Sequence, residues 1–213
     1  ECKMRQHTKN TKSPRLALRQ INKGGTVGGV CTAKLSEAEV MVEGGVNDVL
    51  IPNQVVHPDK IYRMCALAQQ ADIKVCVDNI DNVRTISEIA LKNSVEIGIL
   101  IEVETQMGRA GVRSNEEGVA IAKLTKDLPG VNFKGVMSHQ ALMEYKGHED
   151  RWQVGRDTIQ VCLDVKKAIE EVGIPVEIVS SGETFTIDVA TGIPGVTEVE
   201  GGTYALMGHR YDY

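Results

Sequence analysis

Residues 72–103 read DIKVCVDNIDNVRTISEIALKNSVEIGILIEV. A short β-branched run at 74–77 leads into a stretch at 83–92 whose apolar residues recur at helical spacing, and a second apolar run follows at 95–103. Those two periods separate strand from helix, so the segment predicts a strand–helix–strand unit. The same alternation continues outward on both sides. Strands are expected at 26–30, 48–51, 131–137 and 176–179, with terminal ones at 3–7 and 204–207. Helices are expected at 14–22, 36–43, 58–70, 115–126 and 151–171. The last carries Ile159, Cys162, Leu163, Val165 and Ile169 close to one stripe.

The element ends carry their own chemistry. Ser36 and Glu39 have the spacing of a capping box, and Pro58 suits a first helical turn. Gly44-Gly45, Gly130 and Gly173 fall where helices should stop. Unbroken alternation implies parallel strands in an α/β fold. About eight such units most simply close into a (β/α)8 TIM barrel, read here as one domain over residues 1–213. A doubly wound open sheet is the alternative, but no G-x-G-x-x-G follows the first strand. The units are short for this barrel, so a helix or two is expected to be rudimentary or absent.

Composition narrows the function classes. A formal net charge of -5 argues against a nucleic-acid surface, and no apolar run approaches the roughly 20 residues that span a bilayer. Cys2, Cys31, Cys65, Cys76 and Cys162 form no C-x-x-C pair, which reads as reduced thiols in a cytoplasmic protein. No signal peptide is recognisable.

In a parallel barrel the reactive groups stand at the C-terminal strand ends, and five polar clusters fall there. Lys9 follows the first strand, where a lysine among other cations can become nucleophilic. Arg109 lies between Gly108 and Gly111, which let a ligand approach the backbone while the guanidinium meets an anionic oxygen. His139 follows the strand at 131–137. Ser181, Gly182 and Thr184 form a small-residue loop after strand seven, a usual phosphate position in barrels, provided that Glu183 points its side chain away. Tyr204 follows Gly201-Gly202 and offers a hydroxyl to the same anion. Each cluster alone is as readily a plain turn or a solvated loop. Together, a lysine, an arginine, a histidine, a phosphate-type loop and a tyrosine on one rim match what a phosphorylated aldehyde cofactor bound through lysine needs.

The motifs also resemble a known family. Arg5-x-His7-x-Lys9-x-x-Lys12-Ser13-Pro14 is similar to the R-P-H-x-K-T-H-K signature of the D-threonine aldolase and D-serine dehydratase family, which shares the alanine-racemase-type barrel. Ser36-Glu37-Ala38-Glu39 with Gly45-Val46-Asn47-Asp48-Val49-Leu50 resembles its next segment. So do Glu102-Val103-Glu104 with Gly108-Arg109-Ala110-Gly111-Val112, and Glu200-Gly201-Gly202-Thr203-Tyr204 with Met207. The sequence departs from the family at Gln6, where proline is usual, and at Thr11, where histidine is usual.

The resemblance implies pyridoxal 5'-phosphate as cofactor. It makes Lys9 the Schiff-base lysine, places Arg109 at the ring's phenolic oxygen and His139 beside the pyridine ring, and gives the phosphate to Ser181, Gly182, Thr184 and Tyr204. It implies a homodimeric lyase for β-hydroxy D-amino acids, an aldolase ahead of a dehydratase or a racemase. A non-catalytic cofactor-binding module is the reading from another class. The family's C-terminal β-rich domain, which carries a divalent metal, is expected to be absent from this chain, and His209 with Asp212 is too weak a pattern to replace it.

Overall fold

The computed structural model describes residues 1–140, 142 and 149–206. Eight strands run in chain order around a closed barrel, every neighbouring pair parallel. They are β1 (Lys3–His7), β2 (Thr26–Cys31), β3 (Asp48–Ile51), β4 (Asp72–Val77), β5 (Ile97–Val103), β6 (Val131–Ser138), β7 (Ile178–Ser181) and β8 (Glu198–Val199). The helices between them are α1 (Pro14–Lys23), α2 (Leu35–Glu43), α3 (Pro58–Ala68), α4 (Ile80–Lys92), α5 (Asn115–Asp127), α6 (Arg151–Glu171) and α7 (Ile187–Ala190). The single turn of α7 is the expected rudimentary helix. No described helix is long and apolar enough to cross a membrane.

Caps fix where the helices begin. Ser13 Oγ accepts the Leu16 amide with Pro14 in the first turn of α1, and Asn79 Oδ1 accepts from Asp81 and Asn82 at the start of α4. The expected capping box at Ser36 does not form. The first residue of α2 is Leu35, which places Ser36 inside the first turn. Glu37 takes the Ala33 amide at 2.9 Å, and Glu39 reaches across to Arg63 at 2.6 Å.

Alternation along the strands divides the interior in two. One set of residues, including Val49, Val75, Ile99, Ile101 and Val136, packs outward against the helices. The other points into the barrel, where Leu50, Cys76, Leu100 and Met137 form a separate apolar layer. Below that layer the barrel is filled by charge. Arg5 pairs with Glu198 at 2.7 Å and Asp48 at 2.6 Å, while Lys74 pairs with Asp48 and Asp72. Gly98 leaves room for this layer, since a Cβ there would lie 2.8 Å from Lys74 Cγ.

Two strands depart from expectation. The seventh lies at Ile178–Ser181 rather than 176–179, and the eighth at Glu198–Val199 rather than 204–207. Thr203–Leu206 is a 3-10 turn, and Met207 lies outside the described residues. The eighth strand escapes an apolar search because its inward positions hold Glu198 and Glu200, acids that serve the barrel's polar interior. The five cysteines are free thiols, four of them buried.

Candidate active site

The period of two in Arg5-x-His7-x-Lys9 turns all three side chains toward the barrel axis, one above another. Arg5 sits in the charged floor, His7 is buried above it, and Lys9 is exposed at the mouth. Backbone bonds hold this strand end on both sides: His7 N–H donates to Gly201 O at 2.8 Å and Thr8 N–H to Cys31 O at 2.8 Å. Lys9 N–H donates to His7 Nδ1 at 3.4 Å, which assigns the second ring nitrogen as the N–H. The Lys9 ammonium itself makes no hydrogen bond or ion pair among the described residues.

Lys9 opens onto a cavity of about 200 Å3 that His7, Asn53, Arg109, His139 and Glu200 also line. Larger hollows of about 1130 and 650 Å3 flank α1 on the outside of the barrel and hold none of these groups. Burial, with Lys9 and His139 beside it, lowers the His7 pKa to about 3. Burial, then Arg109 and Lys9, lowers His139 to about 4. Both imidazoles are therefore neutral at pH 7 and can accept a proton or a hydrogen bond without adding charge.

Arg109 is delivered by a loop that folds back on β5. Val112 N–H donates to Glu102 O at 2.9 Å and Glu104 N–H to Val112 O at 3.0 Å. Gly111 makes that close return possible: its φ is +113°, a Cβ would lie 2.4 Å from Glu104 N, and its amide donates to Asp78 at 2.9 Å. Arg109 Nη2 then reaches Glu102 Oε1 at 3.1 Å, and Gln54 donates to the other carboxylate oxygen at 2.6 Å.

The loop after β7 lies against the same end of the barrel. Glu200 N–H donates to Gly182 O at 3.0 Å. Ser181 Oγ is buried within hydrogen-bond distance of Ser138 and Gln140, and Thr184 is buried. Arg151 of α6 donates to the Phe185 carbonyl and pairs with Asp188, pinning the loop from behind. Glu183 does not point away as expected. Burial raises its pKa, opposed by the nearby backbone amides of Phe185 and Thr184 and by Lys9 and Arg151, so the carboxylate stays close to its own loop. Loop amides of the kind that hold an anion are thus met by the loop's own acid.

Lys9, Arg109 and His139 are brought together around one cavity, with Ser181, Gly182 and Thr184 beside it. Tyr204 is not among them. Its hydroxyl accepts from Gln20 at 2.9 Å on the neighbouring groove outside the barrel. His7, Asn53 and Glu200 line the cavity without having been singled out as site residues. A signal existed for two of them: His7 and Glu200 fall at inward positions of strand ends already quoted as motifs. Among the described residues no three histidine, cysteine, aspartate or glutamate side chains form a metal-binding group, and His209 and Asp212 lie outside the described residues.

The donor set suits pyridoxal phosphate. An amine without a partner can bond its aldehyde, a guanidinium can meet its phenolic oxygen, and neutral imidazoles can lie against its ring.

Comparison with known proteins agrees with this geometry. A family model described as "Alanine racemase, N-terminal domain" matches residues 2–209. D-threonine aldolase of Arthrobacter sp. is 36% identical over 211 residues, covering 98% of this chain and 55% of the relative. 3-Hydroxy-D-aspartate aldolase of Paracoccus denitrificans is 36% identical over 209 residues, covering 97% and 54%. The crystal structure of D-threonine aldolase from Filomicrobium marinum superposes with a TM-score of 0.94 at 30% identity, covering 99% of this chain and 56% of that one. The chain thus spans about half the length of the curated relatives it matches.

Proposed function

The chain belongs to the alanine racemase N-terminal domain family, and from that premise we propose that it is the cofactor-binding barrel of a pyridoxal-phosphate-dependent lyase that splits the Cα–Cβ bond of β-hydroxy D-amino acids. The observation that carries the reading is the Lys9 amine, unpartnered among the described residues, at the mouth of a cavity shared with Arg109 and two neutral histidines. When bound, the cofactor supplies an electron-withdrawing ring that takes up the charge left at Cα.

The chain's own residues do the rest. Lys9 would hold the aldehyde carbon through its amine and would serve at the mouth as a proton carrier. Arg109 donates to the phenolic oxygen, its direction set by Glu102. His139, kept neutral by burial and by Arg109, lies beside the ring without repelling these cations. Ser181, Gly182 and Thr184 would hold the phosphate, and Tyr204 would join them only by leaving Gln20.

A divalent cation, if the complete protein holds one, would polarise the β-hydroxyl, which ring conjugation alone does not activate. The protein works as a cytoplasmic homodimer on a small D-amino acid. The test is an assay of the complete protein, loaded with cofactor, on D-threonine, D-serine and D-alanine with and without chelator. Chelator-sensitive acetaldehyde from D-threonine supports the aldolase. Chelator-insensitive interconversion of alanine enantiomers, without either lyase product, overturns it.

A further inference from the structure

Alternation along β6 and β7 puts two sets of residues on opposite faces of the barrel wall. His139 lines the Lys9 cavity, so Ser138 and Gln140 turn the other way, toward α6, where Cys162 stands next to Ser138. Ser181, the sheet partner of Ser138, turns outward as well, since Ser180 before it points inward to Glu200. All three outward side chains are buried. They form a closed triangle: Gln140 Nε2 donates to Ser138 Oγ at 2.8 Å and to Ser181 Oγ at 3.2 Å, and the two hydroxyls lie 2.8 Å apart.

The triangle joins two segments where the sheet stops joining them. β6 ends at Ser138 and β7 at Ser181, and beyond them the chain continues as the His139 segment and the Gly182–Thr184 loop. The first is anchored separately, because Thr105 Oγ1 donates to the His139 carbonyl at 2.7 Å. Gln140 reaches from that anchored segment to the last residue before the loop. Stability gives no account of the glutamine. Its Oε1 is buried without a hydrogen-bond partner, which is unfavourable to the fold, and the two serines would stay bonded to each other without it. An unbranched apolar side chain of the same length would fill the space and remove the orphaned oxygen. It could not fix the angle of Ser181, whereas the two N–H groups of a planar amide reach both hydroxyls at once.

We propose, on the reading that the loop after β7 receives the cofactor phosphate, that Gln140 is a positioning residue which fixes the Ser181 end of that loop from the outer side of the barrel wall. It touches neither cofactor nor substrate. Ser181 serves the anion through its backbone, because its hydroxyl is held on the outer face by Gln140 and Ser138. A loop anchored in advance loses less conformational freedom when a ligand arrives. The benefit therefore falls on ligands that carry a phosphate and not on those that lack one.

The experiment compares the complete protein with Gln140→Met, which keeps length and burial but removes both donors and the orphaned acceptor. Each is titrated by calorimetry with inorganic phosphate, pyridoxal phosphate and unphosphorylated pyridoxal. Affinity for the two phosphate-bearing ligands is expected to fall about fivefold in the variant. Affinity for pyridoxal should hold, and the melting temperature should hold or rise. Ser181→Ala cuts the route from Gln140 to the loop, so adding Gln140→Met to it should cost nothing further. Equal losses for pyridoxal and its phosphate, an undiminished phosphate affinity, or additive losses in the double variant overturn the proposal. So does a Gln140→Met protein that melts well below the parent or fails to fold, since the residue is then structural. A parent that binds no inorganic phosphate and does not prefer the phosphorylated aldehyde removes the underlying reading, and the proposal with it.

Discussion

Arg109 and Glu102 lie seven residues apart in the chain, yet they meet at 3.1 Å because the loop between them returns onto β5. Glu102 is nearly fully buried and Arg109 about half exposed, so the acid is the fixed member and the arginine the guided one. Glu102→Gln keeps the shape and removes the charge. Its expected effect is a severalfold loss of cofactor affinity with little change in fold, read by fluorescence titration with pyridoxal phosphate. Unchanged affinity would show that Arg109 needs no such guide.

Lys9→Ala is expected to abolish covalent attachment and leave the barrel folded. The side chain is exposed and unpartnered among the described residues, so the cost in stability should stay within about 0.5 kcal/mol. Borohydride reduction and peptide mapping of the parent should find the pyridoxyl group on Lys9. Recovery of the label on Lys12 sinks the assignment.

The two histidines make stability depend on pH. In the fold their pKa values lie at about 3 for His7 and about 4 for His139, against 6.5 for an ordinary histidine. The unfolded chain therefore binds more protons below pH 6.5, and stability present above that point is lost as the pH falls toward those values. Glu183, whose pKa is raised, acts in the opposite sense at lower pH. A difference measurement isolates the imidazole: the gap in melting temperature between parent and His139→Asn should shift in the variant's favour from about pH 7 to about pH 5. A gap that stays constant means that the fold leaves the His139 pKa where the unfolded chain has it.

Tyr204 and Gln20 form a pair whose disruption separates two roles. Tyr204→Phe should weaken pyridoxal phosphate binding severalfold while leaving unphosphorylated pyridoxal unaffected, and Gln20→Ala, which frees the hydroxyl, should not weaken either. Equal losses for both aldehydes in Tyr204→Phe would assign the tyrosine to packing.

Glu183→Ala removes a carboxylate that burial holds close to the phosphate-type loop. Affinity for inorganic phosphate and for the phosphorylated cofactor should rise together, as read by calorimetry. A fall in both would make Glu183 part of the anion site rather than its competitor.

The barrel was legible from strand–helix alternation because its outward-facing residues, such as those at 75, 77, 99 and 101, are continuously apolar against the helices. The eighth strand was not, since the two inward acids of Glu198-Val199-Glu200 erase the apolar signature in so short an element. Lys9, Arg109 and His139 were readable because strand ends are known positions once the barrel is assumed. The orientation of Tyr204 and Glu183 was not readable. Tyr204 is set by Gln20 on α1, distant from any motif, and Glu183 by its burial against its own loop. The helix start at Leu35 was missed because Glu37, rather than Glu39, turns back to the amide before it.

The brevity of β8 has a consequence in time. β5 and β6 pair from Ile97↔Val131 to Val103↔Ser138 across one bulge, whereas β8 meets β1 through Lys3↔Glu198 and Met4↔Val199, and β7 through Ser180↔Glu198. Closure of the ring there leans on the Arg5–Glu198 pair and on single bonds such as Glu200 N–H to Gly182 O. Breathing of the barrel should therefore start at this seam, with amides of residues 197–201 exchanging with solvent by local opening while those of β5 wait for global unfolding. His7 and Lys9 at the end of β1 and Glu200 after β8 line the same cavity, so a ligand anchored on both sides would act as a rivet across the seam, and its arrival should slow exchange there more than anywhere else.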